Sequence, residues 1–453
     1  MSAFPDIETL TDAESRLHYG RDWTRFWTPA PERVVFPRST EDVVALVRWA
    51  GSNNRKLVPS GGRTGLSGGA VAAAGEVVVS LEKMRRQIEL DAVEPSLTVE
   101  AGVPVGEVQR TAAEAGLYYP VDWAAAGSSQ VGGSIATNAG GIRVLRYGMT
   151  RNWVRGLVVV DGRGRVLRLN RGLVKNNAGP DLCQLMVGSE GVLGIVTEAT
   201  LGLTRPPPAQ SVLLLAFADL SALMPALAAL RNALSLSAFE FFDRRSVARV
   251  AAHTGSSFPL AEQADFHAVV EFDDPDGAGQ DKALEAFESL VEDGHVIDGI
   301  LSQSDAQAAE LWRWREAITE SIAPCTPYKN DLSVRVSRVP RFLQALEALV
   351  GRYYPAFEVV WFGHIGDGNL HMNILCPEAM DVADFRAACE GLSPRVFELV
   401  REHGGSISAE HGVGLLKRDY LHYCRDAAEI DALHGLKALF DPAGLLNPGK
   451  LLA

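Results

Sequence analysis

Late in the chain, side chains that can bind a metal or move a proton stand close together. Gly363-His364-Ile365-Gly366-Asp367-Gly368-Asn369-Leu370-His371-Met372-Asn373 is followed by Ser408-Ala409-Glu410-His411-Gly412. Residues 357–362 read as a strand and 370–375 as its return, with Gly366 to Asn369 as turn formers. Such a hairpin puts His364 and His371 on its two arms, within reach of one ion. Period-2 alternation sets Asn373 on the face of His371. Two neutral imidazoles and the Glu410 carboxylate leave a fourth position open, the ligand count of a catalytic rather than a structural Zn²⁺ site. A lone His in a hairpin is more often a hydrogen-bonded core or surface residue. The pair of histidines with a distant Glu-His raises the metal reading to equal standing, and spacing leaves the identity of the metal open.

A second cluster is Arg315, Thr319 and Lys329. The spacing i, i+4 predicts Arg315 and Thr319 on one helix face, with Lys329 on the element that follows. Taken alone, a solvated helix face is the commoner meaning of this pattern.

Three glycine loops lie in the first 200 residues, each near the end of an expected strand. They are Ser60-Gly61-Gly62-Arg63-Thr64-Gly65-Leu66-Ser67-Gly68-Gly69, the stretch from Gly127-Ser128 through Gly132-Gly133 to Thr137-Asn138-Ala139-Gly140-Gly141, and Gly188-Ser189-Glu190-Gly191-Val192-Leu193-Gly194-Ile195-Val196. Glycine lets backbone N–H groups close on phosphate oxygens, and left-handed residues turn several toward one anion. One such loop is usually a tight turn; three in one region favour anion cradling. Gly-x-Gly-x-x-Gly and Gly-x-x-x-x-Gly-Lys-Ser/Thr are both absent, which disfavours a dinucleotide fold of that type and a P-loop nucleotidase.

The elements that must position these groups follow from pattern. Strands are expected at 76–81, 96–101, 212–217 and 267–272, and helices at 104–115, 220–233, 281–292 and 340–350. A hairpin spans 154–169, with Asp161-Gly162 at its turn. Arg205-Pro206-Pro207-Pro208 reads as a domain boundary. Beyond it the pattern suggests an α+β domain with helices on one face of an antiparallel sheet. Ser211 to Leu230 contains one charge, Asp219, but divides into a strand and a helix rather than a membrane span. The 453 residues exceed one core, and the formal net charge of −13 argues against non-specific nucleic-acid binding. Five scattered cysteines without a Cys-x-x-Cys pair fit a reducing compartment. Asp6 and Glu8 near the N-terminus are unlike a secretory signal. A soluble, cytoplasmic protein is expected, and a homodimer by base rate.

These motifs, in this order, resemble the flavoprotein dehydrogenases of D-2-hydroxyacids, within the vanillyl-alcohol-oxidase/PCMH FAD fold. The resemblance runs from about Val34 to Lys450 and is carried by the three glycine loops, the two histidine segments and Asn447-Pro448-Gly449. It implies an α+β fold: a PCMH-type FAD-binding domain over 1–205 closed by 440–453, and a substrate- and metal-binding cap over 206–439. It implies FAD contacts from Pro59, Gly61, Gly62, Arg63, Thr64, Gly65, Ser67 and Gly68. Further contacts are implied from Gly127, Ser128, Gly132, Gly133, Thr137, Asn138, Gly140, Gly141, Glu190, Gly191, Gly194, Ile195, Val196 and Asn447. Some relatives tether flavin through a His in the first loop; Arg63 stands there here, which implies non-covalent FAD.

Within the family, Arg315, Thr319, Lys329 and Asn373 resemble the substrate cluster of D-2-hydroxyglutarate dehydrogenases, and Tyr328-Lys329-Asn330-Asp331 is the deciding stretch. A second cation suits a diacid, such as D-2-hydroxyglutarate or D-malate. The implied mechanism has Zn²⁺ (or Mn²⁺ or Co²⁺) on His364, His371 and Glu410, proton abstraction by His411, which also contacts substrate, and hydride transfer to flavin N5 at the interface of the domains. The implied electron acceptor is an electron-transfer flavoprotein or a quinone. D-lactate or glycolate oxidation is the nearer rival reading. A flavin-fold subunit without turnover is the rival from another class, and the intact Glu410-His411 argues against it.

Overall fold

The computed structural model describes residues 3–24, 26–261 and 264–452. The chain forms two compact units. One comprises Met1–Gly141, Gly148–Pro206 and Glu410–Ala453; the other comprises Ile142–Tyr147 and Pro207–Ala409.

The first unit begins from a short valine-rich strand. Val77–Ser80 pairs in parallel with Arg33–Val35 and Leu57–Ser60, and Thr9–Leu10 adds an antiparallel edge. Alternation divides the strand between two cores. Val77 and Val79 pack with Val35 and Leu57, whereas Val78 packs with Val34 and Val58. A strand buried on both faces needs no polar alternation, which explains the run Val77-Val78-Val79. Helix Thr40–Asn53 starts where the Ser39 side chain accepts the Asp42 N–H and ends at left-handed Asn54. It buries Val43, Leu46, Val47 and Ala50 in the larger core.

An antiparallel five-stranded sheet completes this unit, in the order Gln87–Asp91, Ser96–Glu100, Gly194–Gly202, Val154–Asp161, Val166–Leu169. The chain returns to this unit at Glu410, well before the 440 that the resemblance implies. The reason is backbone pairing: Leu415 and Leu416 N–H donate to Ser67 O at 3.0 and 3.1 Å. The tail then docks on the sheet edge, with Leu57 N–H to Leu445 O at 2.8 Å and Asn447 N–H to Leu57 O at 2.7 Å.

The second unit is built on seven antiparallel strands. Their order is Val296–Leu301, Gln210–Phe217, Phe266–Asp273, Leu236–Asp243, Val359–Gly363, Asn369–Ile374, Tyr328–Ser333. Helices cover both faces of this sheet, not one as the sequence pattern suggests. Leu214 packs in a cluster with Leu311 and Trp314 of helix Asp305–Glu316. On the other face, a Cβ at Gly299, opposite Leu215, would meet Phe287 of helix Ala278–Glu292. The unbroken apolar run from Val212 to Phe217 is the signature of such two-sided burial. The run from Ser211 to Leu230 is indeed divided between strand Gln210–Phe217 and helix Leu223–Ala233. Among the described residues no helix is long and apolar enough to cross a membrane.

The histidine hairpin forms as expected. Val359–Gly363 pairs with Asn369–Ile374, Phe362 opposite His371 and Val360 opposite Asn373. The His364 carbonyl accepts N–H groups from Asp367, Gly368 and Asn369 and so closes the turn. Gly368 has φ +90°, and a Cβ there would lie 2.1 Å from Val334 O. Gly368→Ala should therefore combine left-handed strain with a backbone clash, lowering the melting temperature by at least about 5 °C. An unchanged transition in differential scanning calorimetry would contradict this account of the turn.

Candidate active site

In the second unit the site grows from one face of the sheet. Strand Leu236–Asp243 is buried at every position, and its sequence sets Glu240 between Phe239 and Phe241. Each Glu240 oxygen has its own cationic or imidazole neighbour. Oε1 lies 2.8 Å from His364 Nδ1, and Oε2 lies 2.9 Å from Arg315 Nη2. A carboxylate on Nδ1 fixes the ring and makes Nε2 the nitrogen that can ligate. The Arg315 guanidinium also lies 4.7 Å from the Phe362 ring centre. The His364 and His371 rings stand edge to face, with centroids 5.3 Å apart. The hairpin therefore brings the two expected imidazoles together.

The neighbouring strand adds a second buried carboxylate. Asp331 is opposite His371 in the ladder, with Oδ1 3.7 Å from His371 Nδ1, and it accepts Asn369 Nδ2 at 2.8 Å. Lys329 is opposite Asn373, two residues along, so both share the face of His371. Burial holds the Lys329 ammonium below the usual lysine range. Lys329 makes no ion pair among the described residues, and Asn373 Nδ2 is buried without a hydrogen-bond partner. A cation without an ion pair beside an unsatisfied amide donor is suited to an anionic ligand.

Arg315 and Thr319 do not share a helix face as their spacing predicts. The helix stops at Glu316 and a new one runs over Ile318–Ile322, leaving Arg315 buried and Thr319 exposed. Glu240 and Asp331 are buried carboxylates of the candidate site that spacing did not single out. The only signal for Glu240 was an acid inside an aromatic strand.

In the first unit the glycine loops pack backbone to backbone. A Cβ at Gly62 would lie 2.0 Å from Ser128 O, and one at Gly141 would lie 1.8 Å from Asp122 O. Thr64 Oγ1 and Ser129 Oγ are 2.8 Å apart, so the first and second loops are joined. Asp22 accepts the Gly68 N–H at 2.7 Å and anchors the first loop from beneath. Asn447 ties the first loop to the third, donating through Nδ2 to Gly69 O and Glu190 O. Gly191 packs beside Pro59. Asn138 ends helix Val131–Thr137 in the left-handed region, following Gly132 and Gly133. Arg63 is left-handed too, and its side chain reaches His18 Nε2 at 3.1 Å and lies over Tyr19.

Polar atoms buried at these loops lack partners: Ser60 Oγ, Gln130 Oε1 and Asn447 Oδ1. Orphans gathered at three adjoining loops fit a polar cofactor that supplies the missing bonds. Ile195 and Val196 have core-packed side chains, so only their backbone could face such a group. Both carboxylate oxygens of Glu190 are engaged within the protein. Its two oxygens accept the Val413 and Gly414 N–H groups at 2.7 Å each, while burial pushes its pKa up. It braces the segment that begins with Glu410 and His411. Glu410 Oε1 accepts the Gly141 N–H at 2.7 Å, and the His411 carbonyl accepts Ser67 Oγ at 2.9 Å.

Comparison with known proteins decides the family. The family described as "FAD linked oxidases, C-terminal domain" matches residues 206–451, and "FAD binding domain" matches 31–170. The chain belongs to the FAD-linked oxidases. It is an FAD-dependent enzyme. A protein of Xanthomonas citri pv. viticola named D-2-hydroxyglutarate dehydrogenase is 54% identical over 99% of this chain and 95% of its own length. A protein of the same name from Stutzerimonas stutzeri is 51% identical over 98% of this chain and 96% of its own. A fission-yeast relative, named a putative D-lactate dehydrogenase, is 33% identical over 99% of this chain and 87% of its own. The solved 4-ethylphenol oxidase of Gulosibacter chungangensis shares the fold, with a TM-score of 0.76 at 17% identity, covering 98% of this chain and 94% of that one.

Glu240→Ala should leave the Arg315 guanidinium buried without its counter-charge and cost this FAD-linked oxidase about 3–5 kcal/mol. Adding Arg315→Met should recover much of that loss. Equal losses for the single and double variants in denaturant titration would show that the pair is not the cause.

Proposed function

We propose that this chain oxidises D-2-hydroxyglutarate to 2-oxoglutarate, with FAD taking the α-hydrogen as hydride. The observation that carries the reading is the Lys329–Asn373 pair, an unpaired ammonium and an unsatisfied amide on the strand face of His371. Such a pair suits the distal carboxylate of a diacid, while the buried Arg315 fork serves the α-carboxylate end. The Xanthomonas and Stutzerimonas relatives, each more than half identical, carry the matching name.

His364, His371 and Glu410 are the residues that would hold a divalent ion, Zn²⁺, Mn²⁺ or Co²⁺. Two imidazoles and a carboxylate, with buried carboxylates behind both rings, are the donor set and outer support such an ion requires. When bound, FAD supplies the hydride acceptor and the ion supplies charge that favours an α-alkoxide. His411, adjacent to Glu410, takes the α-hydroxyl proton as general base. Arg315, Lys329 and Asn373 would bind the acid's carboxylates and hold it in one orientation for the oxidation. Thr319 is exposed and would join them only through its hydroxyl. D-malate, a shorter diacid, should be a poorer substrate. The 33% identical relative named a putative D-lactate dehydrogenase keeps D-lactate as the second reading. Electrons then pass to a separate acceptor, an electron-transfer flavoprotein or a quinone.

Anaerobic bleaching of the flavin tests this directly. D-2-hydroxyglutarate should bleach it fast, EDTA treatment should abolish the bleaching, and His411→Ala should block reduction while FAD and metal stay bound. Bleaching by D-lactate alone would overturn the substrate. Lys329→Ala should raise KM for D-2-hydroxyglutarate at least about tenfold while leaving D-lactate oxidation little changed. Because burial lowers the Lys329 pKa, its positive charge is lost earlier than usual as pH rises. KM for the diacid should therefore climb on the alkaline side, and KM for D-lactate should not.

A further inference from the structure

The acidic chain contains one strongly basic stretch that the reaction does not use. Residues 151–175 hold Arg151, Arg155, Arg163, Arg165, Arg168, Arg171 and Lys175 against one acid, Asp161. That is seven cations less one anion, a net +6, so the other residues carry −19 of the total −13. Most of these groups are exposed. Arg165 pairs with Asp161, whereas Arg151, Arg163, Arg168, Arg171 and Lys175 make no ion pair among the described residues.

Val166–Leu169 is the edge strand of the five-stranded sheet, and Arg168 and Arg171 line one shallow cleft with Thr98, Thr200 and a single acid, Glu198. Past the edge, Asn170 and Arg171 are both left-handed. The Asn170 amide donates to Arg155 O at 2.6 Å and Leu173 O at 2.8 Å, and Asn176 Nδ2 donates to its Oδ1 at 3.0 Å. This stitched loop presents Leu173 and Val174, 54% and 70% exposed, between Arg171 and Lys175. An edge strand guarded only against strand addition needs a charge or two, not cations of one sign around an apolar tip.

The basic face is also joined to the cofactor loops of its own unit. Arg151 N–H donates to Asn138 Oδ1 at 3.0 Å, and a Cβ at Gly188 would lie 3.7 Å from Arg151 Nη2. We propose that the edge strand Val166–Leu169 and the loop after it, carrying Arg168, Arg171, Leu173, Val174 and Lys175, dock an acidic electron-carrier protein that reoxidises the flavin. The inference rests on the dehydrogenase reading above, which leaves a two-electron reduced cofactor after each turnover. The overall charge of −13 does not prevent docking, because at physiological salt charges beyond about 8 Å are screened and a partner in contact feels the local patch. Arginine in place of lysine favours a protein occupant, since its planar fork pairs carboxylates in twos and is enriched at interfaces. Leu173 and Val174 supply the apolar centre that such an interface needs.

The test uses the holoenzyme with D-2-hydroxyglutarate and two acceptors, dichlorophenolindophenol as a small dye and purified bacterial electron-transfer flavoprotein as the protein carrier. The triple variant Arg168→Glu, Arg171→Glu, Lys175→Glu should lower kcat/KM for the protein carrier at least about tenfold and flatten its fall with ionic strength. Flavin bleaching by substrate and turnover with the dye should not change. Equal carrier kinetics for wild type and variant, or no carrier reduction by wild type at any ionic strength, would overturn the proposal. So would charge-dependent binding to phosphatidylglycerol vesicles with carrier kinetics unaltered, which would make the patch a membrane surface. Failure of substrate to bleach the wild-type flavin would instead overturn the dehydrogenase reading, so the two failures are distinguishable.

Discussion

Glu240 has to find its partners inside a strand where every residue is buried, and it finds them in a hydrogen bond with His364 and an ion pair with Arg315. One oxygen meets His364 Nδ1 and the other meets Arg315. A carboxylate removed from water is costly unless it is hydrogen-bonded or paired with an opposite charge. Meeting that demand holds the imidazole and the guanidinium at one carboxylate, so the group proposed for a metal and the group proposed for an acid share one anchor. The residues that stand around this pair follow from it. Phe362 lies under Arg315, His371 lies beside Phe362, and Asp331 backs His371 across the ladder.

The first unit solves a different problem with the same economy of charge. Its loops must bring backbone N–H groups close enough to surround an anion, and side chains would keep them apart. Gly62 and Gly141 lie where a Cβ would strike backbone oxygen. The loops are then held from behind by polar side chains: Asp22 on the first, Asn447 between the first and third, and Glu190 on the segment leading from His411. The FAD-linked family match gives a reason for Ser60, Gln130 and Asn447 to keep buried atoms without partners, since a polar cofactor can complete them.

Much of this was legible in the residues. The hairpin, its glycine turn and the shared face of His371 and Asn373 follow from period-2 alternation, which a buried antiparallel strand must obey. The glycine loops were legible because close backbone approach excludes other residues. Glu240 was not, because an acid inside Phe239-Glu240-Phe241 has its meaning from strands distant in sequence, and Arg315 and His364 meet it only after folding. Glu190 shows the reverse. The loop containing it was readable, but whether its carboxylate faces a cofactor or braces the chain depends on where Val413 and Gly414 come to lie. Arg315 and Thr319 failed as a helical pair because the helix ends between them, and i, i+4 spacing has no meaning across a break.

One short segment shows how the chain serves both units. Gly141, closing the second glycine loop, donates its N–H to Glu410. Four residues on, Leu145 of the helix Val144–Tyr147 lies where a Cβ on Gly366 would meet it, in the turn between His364 and His371. Arg143 in the same segment reaches Glu271 through Nε and Nη2, and Glu271 also accepts the indole N–H of Trp312, three residues before Arg315. A run of six residues from within the stretch that matches the FAD binding domain is thus packed as part of the second unit. Its apolar and charged contacts are local and strong enough to fix it there. The end of the second glycine loop is thus followed directly by a segment that packs against the turn of the histidine hairpin.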